Sequence, residues 1–88
     1  MKSYHVLFSS KARKMFKKLD KPVQQLVDGW LRKNLEGCTN PRAHGKALTG
    51  NHQNEWRYRV GDYRILVNIQ DENILILVLE IGHRKEIY

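Results

Sequence analysis

Three arginines alternate with apolar residues in the stretch E-W-R-Y-R-V-G-D-Y-R-I-L-V of residues 55–67: Arg57, Arg59 and Arg64. After a further apolar run the chain reads G-H-R-K-E-I-Y, which supplies His83, Arg84, Lys85 and Tyr88. A guanidinium group is a rigid fork that fits phosphoryl oxygens, so these residue types point to an anionic ligand. Cutting a phosphodiester within RNA makes three demands: a proton leaves the 2′-hydroxyl, charge builds on phosphorus, and the 5′-oxygen leaving group takes up a proton. Arginine meets the second. The candidates for proton transfer are His83, Tyr88 and Glu55. Histidine ordinarily titrates near neutrality and suits either role. Tyrosine is a poor base at neutral pH unless surrounding arginines favour its anion, and its ring can instead stack on a base. No carboxylate pair at metal-ligand spacing lies beside the basic strands, and Asp71-Glu72 reads as a solvated turn, so neither a metal site nor a cofactor is expected. The same alternation also suits arginines scattered over a solvated surface.

Those side chains need a frame. Tyr4–Phe8 reads as a short strand, and Ser9 or Ser10 can cap the helix that follows. In that helix Ala12, Met15, Phe16 and Leu19 form one apolar stripe, and Lys11, Arg13, Lys14, Lys17 and Lys18 cover the rest, either as a nucleic-acid patch or as a solvated face. Asp20 and Pro22 open a second helix with the stripe Val23, Leu26, Val27, Trp30, Leu31 and Leu35, closed by Gly37. Residues 37–54 lack periodicity and read as a long loop with a helical turn near 43–48. His44, Lys46 and His52 lie in it within reach of a ligand or simply exposed, and Ala43, Ala47 and Leu48 pin it to the core. Residues 56–60, 63–69 and 74–81 read as three strands joined by tight turns at Gly61-Asp62 and 70–73, the last nearly all apolar as a central strand is. The last strand breaks at Gly82.

The expected fold is therefore α+β in the order β-α-α-β-β-β: a four-stranded, mainly antiparallel sheet with a helical hairpin on one face. The first strand lies beside the last, which needs two neighbours. If Trp56, Tyr58, Val60, Tyr63, Ile65 and Val67 face the helices, then Arg57, Arg59 and Arg64 share the open side, with Arg84 and Tyr88 hanging from the strand end.

Eighty-eight residues make one domain, residues 1–88. The net charge of +7 favours phosphate-rich or acidic partners. Residues 1–36 carry nine Lys/Arg against three acids, and residues 37–88 seven against six, so the lysine-rich first part steers and the arginine-rich sheet makes contact. A single cysteine, Cys38, fits a reducing compartment. The apolar start is too short for a signal peptide, the run 74–79 is too short to span a bilayer, and a cytoplasmic protein is expected.

The element order, A-R-K-M-F-K-K-L-D at 12–20, W-R-Y-R-V-G-D-Y-R-I-L-V at 56–67 and G-H-R-K-E-I-Y at 82–88 together resemble the RelE/ParE superfamily, specifically its RelE-like toxins. The resemblance covers nearly the whole chain. It implies the toxin of a type II toxin–antitoxin module, a ribosome-dependent endoribonuclease that enters the A site of the 70S ribosome and cuts mRNA without a metal, leaving a 2′,3′-cyclic phosphate and a 5′-hydroxyl. It implies catalytic roles for Arg64 at the scissile phosphate, Arg84 at the transition state or leaving group, Tyr88 as base or stacking ring, and His83 in acid–base work. Arg57 and Arg59, with Lys46 and Lys85, are the RNA-binding candidates. The implied partner is a cognate antitoxin, in a toxin–antitoxin heterotetramer. The ParE branch shares the fold but poisons DNA gyrase and cuts no RNA.

Overall fold

The computed structural model describes residues 2–47 and 54–83. Strand β1 (His5–Phe8) leads through Ser9 into helix α1 (Ser10–Lys17). The Ser9 hydroxyl accepts from the Ala12 amide at 3.0 Å, meeting one of the donors that a helix start leaves open. Helix α2 (Lys21–Asn34) follows, with Pro22 in its first turn. Asp20 holds the capping position, but its side chain makes no capping bond. Gln24 joins the helices instead: its amide donates to the Phe16 and Leu19 carbonyls at 3.0 and 2.9 Å.

Beyond a 3-10 turn at Pro41–Ala43 come a two-residue strand β2 (Lys46–Ala47) and three longer strands, β3 (Glu55–Val60), β4 (Tyr63–Gln70) and β5 (Leu75–His83). β3, β4 and β5 form the expected antiparallel meander, and β1 lies parallel beside β5. The sheet has five strands, in the order β1-β5-β4-β3-β2. The sequence predicts four strands and a helical turn at 43–48, whereas the chain is already extended at Lys46, where it pairs with Arg57. Two residues are too few to show a period. Gly45 makes the pairing possible: it sits at φ 75, and a Cβ there would collide with the Arg57 carbonyl oxygen.

The helices cover one face. Ala12, Val27, Leu31 and Leu35 pack there on Tyr58, Val60, Ile65, Val67, Ile69, Ile76, Val78 and Ile81, all buried. Each such aliphatic side chain stabilises the fold by roughly 1.5–3 kcal/mol. Leu26, expected in the same stripe, is 50% exposed and lies near the β3–β4 turn, where Gly61 is its neighbour. The loop after α2 is tied down by polar bonds. Tyr58 donates its hydroxyl to the Pro41 carbonyl at 2.6 Å. Arg42 grips Asp71 with two bonds of 3.0 Å, and the Tyr4 hydroxyl donates to the same carboxylate at 2.7 Å. Asp71 is thus a paired group rather than the solvated one that its turn position suggests.

Candidate functional site

Residues directly opposite in a sheet share a face. The strand register therefore lays two rows across the side that the helices leave open. One runs Lys46, Arg57, Leu66, Glu80, and the next runs Arg59, Arg64, Gly82. Strands stand about 4.8 Å apart and alternate residues about 6.7 Å apart along a strand. The three arginines thus occupy adjacent points of one surface, as expected. Arg57 and Arg64 are half-buried and Arg59 is exposed. The Nε of Arg64 is shut off from solvent. Arg59 stands directly across from Arg64 and donates through Nε to the Gly61 carbonyl at 3.3 Å. Like charges placed opposite one another cost stability, and an anion between them reverses the sign. Gly82 faces Arg64 from β5 and itself brings no side chain to that point.

Two carboxylates of the described strand residues, Glu55 and Glu80, share this face. Glu80 is paired with Lys11 of α1 at 2.6 Å. Glu55 lies across from Asn68 at the far end of β3. At the β1 end the face is apolar, with Leu7 55% exposed and Leu75 and Leu77 half-buried. There Glu36 accepts the Val6 amide at 3.0 Å and pairs with His5 Nδ1 at 2.9 Å, and these bonds, the amide first, hold its carboxyl below the usual range.

His83, also expected at the site, lies on the other face. β5 does not break at Gly82 but runs on to His83. His83 pairs in register with Tyr63, in phase with Ile65 and Ile81, which puts it on the helix side. Its ring meets Tyr63 edge-on with centroids 5.6 Å apart. The cause is a one-residue bulge: Leu66 pairs with Glu80 but Val67 with Val78, so Leu79 is the extra residue and the facing of the later residues is reversed. Arg84, Lys85 and Tyr88 lie outside the described residues, as do His52 and Leu48. His44 is a structural residue, its ring edge-on to Trp30 at 5.9 Å and its carbonyl accepting from the Trp56 indole. Among the described residues no cluster of three His, Cys, Asp or Glu could hold a metal ion. Burial pushes the Tyr58 hydroxyl and the Cys38 thiol above their ordinary values, so neither is primed as a nucleophile. Chemically, the open face can hold phosphoryl oxygens between guanidinium groups and stabilise charge that develops on them.

A helical hairpin on one side of a mixed sheet and an arginine cluster on the other mark a known class of protein. Residues 6–88 match the family described as the ParE toxin of the type II toxin–antitoxin system parDE, and the chain belongs to the RelE/ParE superfamily of such toxins. Within it, the likeness extends to toxins of the RelE kind. A putative RelE-like toxin protein of Escherichia coli is 31% identical over 83 residues, covering 93% of this chain and 84% of that protein. Toxin RelG of Mycobacterium tuberculosis is 31% identical over 85 residues, covering 97% and 95%. A chain of the M. tuberculosis toxin–antitoxin complex RelBE2 superposes with a TM-score of 0.83 at 29% identity, covering 98% of this chain and 97% of that one. The isolated E. coli RelE toxin shares the fold, with a TM-score of 0.73 at 23% identity, covering 92% and 84%. No helix among the described residues is long and apolar enough to cross a membrane.

Proposed function

We propose that this toxin is an endoribonuclease that cuts mRNA in the A site of the ribosome and so stops translation. The observation that supports it best is the placing of Arg57, Arg59 and Arg64 on adjacent points of the uncovered face. In this reading the 2′-oxygen of the RNA attacks the adjacent phosphorus, the bond from phosphorus to the 5′-oxygen breaks, and a 2′,3′-cyclic phosphate and a 5′-hydroxyl result. The 2′-hydroxyl proton goes to a base and the 5′-oxygen receives one. Arg64, supported by Arg57 and Arg59, holds the non-bridging oxygens as charge accumulates, and such a clamp needs no metal ion. Lys46 and Lys85 add backbone contacts. Arg84 and Tyr88, just beyond β5, complete the site in this reading. His83 serves in proton transfer only if the substrate crosses the end of β5, because its ring packs on Tyr63. The partner is a cognate antitoxin, as in the toxin–antitoxin complexes among the similar structures, held with the toxin as a heterotetramer in the cytoplasm.

The test is expression from a tight promoter with mapping of mRNA 5′-ends in the presence and absence of translation. Cuts inside codons that require translation are expected. A second reading follows from the match to the ParE family: a poison of DNA gyrase that leaves RNA intact. Whole mRNA together with stalled gyrase–DNA complexes would establish that reading and remove the first.

A further inference from the structure

Residues 41–47 form a strap tied to the sheet along its length. The Pro41 carbonyl accepts the buried Tyr58 hydroxyl at 2.6 Å, and Arg42 grips Asp71 with two bonds of 3.0 Å. The His44 carbonyl accepts the Trp56 indole N–H, and the His44 ring is edge-on to Trp30 at 5.9 Å. Gly45, at φ 75, then lies so close to the Arg57 carbonyl oxygen that no Cβ fits between them. The strap ends in β2, where Lys46 pairs with Arg57 and Ala47 with Trp56. Both residues of β2 are exposed, so this end of the strap adds nothing to the core. Its effect is one of position. Because Lys46 stands opposite Arg57 it shares the open face, whereas Trp56 and Ala47 belong to the other.

The charges around Lys46 give that position a meaning. Arg59 and Arg64 occupy one row of the open face. The next row, about 6.7 Å along the strands, runs Lys46, Arg57, Leu66, Glu80. A polyanion that leaves Arg59 and Arg64 therefore meets Arg57 and Lys46 toward β2 and a carboxylate toward β5. Glu55 puts a further carboxylate beyond Arg57 on β3. Lys46 is exposed and meets no carboxylate among the described residues. We infer that Lys46 holds the phosphate next to the one that is cut, and that Trp56, through the His44 carbonyl, is the positioning residue that keeps it there. The inference rests on the reading of the toxin as an mRNA endonuclease and deepens it: the strand crosses the open face from Arg64 toward the β2 edge. An ammonium group is a point charge on a flexible stem, so its grip on a phosphate depends on where its backbone is held. β2 is shorter than strands usually are, and the strap supplies the fixing that the ladder does not.

The test measures single-turnover cleavage of mRNA on programmed ribosomes over a range of ribosome and salt concentrations. Wild type is compared with Lys46→Gln, Trp56→Phe, the double variant Lys46→Gln/Trp56→Phe, and Lys33→Gln, which removes one exposed charge from α2. Phenylalanine keeps a ring against the core and loses the N–H donor. In Lys46→Gln the half-saturating ribosome concentration rises by about tenfold, the scale of one charged hydrogen bond. The slope of log affinity against log salt becomes shallower by about 0.7, the share of one phosphate on a single strand. The rate at saturation changes far less, because a phosphate one step from the cut gains no charge in the transition state. Trp56→Phe moves affinity and slope in the same direction, and the double variant is no weaker than Lys46→Gln alone, since both changes remove one contact. Gly45→Ala, which drives β2 off β3, gives the same change of slope and takes the place of Trp56→Phe should that protein not fold. Lys33→Gln stays near wild type, and a loss there equal to that of Lys46→Gln would reduce the effect to net charge and overturn the inference. Lys46→Gln with wild-type affinity and slope, while wild type cuts, overturns the inference alone. Losses that multiply in the double variant, or a wild-type slope in Trp56→Phe, would leave Trp56 a packing residue and overturn its positioning role. Wild type that leaves mRNA whole on programmed ribosomes overturns the nuclease reading and this inference together.

Discussion

The same strands build the two faces of the sheet to opposite ends. On the helix side Tyr58, Ile65, Val67, Ile69, Ile76, Val78 and Ile81 are closed off from water. On the other side the leucines of β4 and β5 are half-buried and the arginines of β3 and β4 stand side by side. Alternation makes this division possible, because each strand residue serves one face only. The apolar face stabilises the fold by enough to tolerate a cationic cluster that opposes it. The teaching is that Arg64 and Ile65, neighbours in sequence, belong to different tasks, and substitutions should separate them.

The largest expected effect is on the open face. Arg64→Ala should lower cleavage by about 10²–10³-fold, the scale of losing one preorganised donor at a reacting oxygen. Stability should stay within about 1 kcal/mol, since this residue lies outside the sealed core. Growth arrest on induction and urea unfolding of the same preparation give both numbers. Next comes the covered face. Ile65→Ala should cost about 2–5 kcal/mol of unfolding free energy by loss of burial and a residual cavity, and any loss of cleavage should follow the unfolded fraction. A stable Ile65→Ala protein with no activity would break the division between the faces.

A smaller effect concerns the clamp at the edge of the sheet. Arg42 and then the Tyr4 hydroxyl hold the Asp71 carboxyl below its ordinary value of 3.8. A folded-state pKa below the unfolded one adds stability that is present above 3.8 and disappears as pH falls through the folded value. Because the pair is substantially exposed, Asp71→Asn should cost at most about 1 kcal/mol at pH 7. The gap between variant and wild type should narrow in acid below pH 3.8, and urea midpoints that keep the same separation there would refute the clamp. The smallest effect lies at the opposed arginines: Arg59→Gln should leave the free toxin equally stable or more stable by a few tenths of a kcal/mol, because it removes a like-charge contact across the strands. A loss beyond about 1 kcal/mol would mean that Arg59 braces the fold rather than waiting for an anion.

Sequence patterning was sufficient for the meander, the helical hairpin and the common side of Arg57, Arg59 and Arg64, because period-two and period-3.6 signals are local. It was insufficient where distant backbone decides. β2 is two residues long and exists only because Gly45 lets the chain approach β3. The bond from Arg42 to Asp71 joins residues 29 apart and has no local signature. The facing of His83 depends on the bulge at Leu79, whose one visible trace is the polar Glu80 beside it in an apolar run. Strand alternation carried past that point without the bulge puts His83 with the arginines, whereas its ring lies against Tyr63.

Arg59 and Arg64 face each other across β3 and β4, so the most direct measurement is a double-mutant cycle on that pair. Single-turnover cleavage of mRNA on programmed ribosomes is compared for Arg59→Ala, Arg64→Ala and the double variant, each confirmed folded. If both groups hold one phosphodiester, each single change slows the cut and the double loses less than the product of the two, by about tenfold. Cleavage at the wild-type rate by folded Arg64→Ala, or losses that simply multiply, would contradict a shared phosphate on the open face.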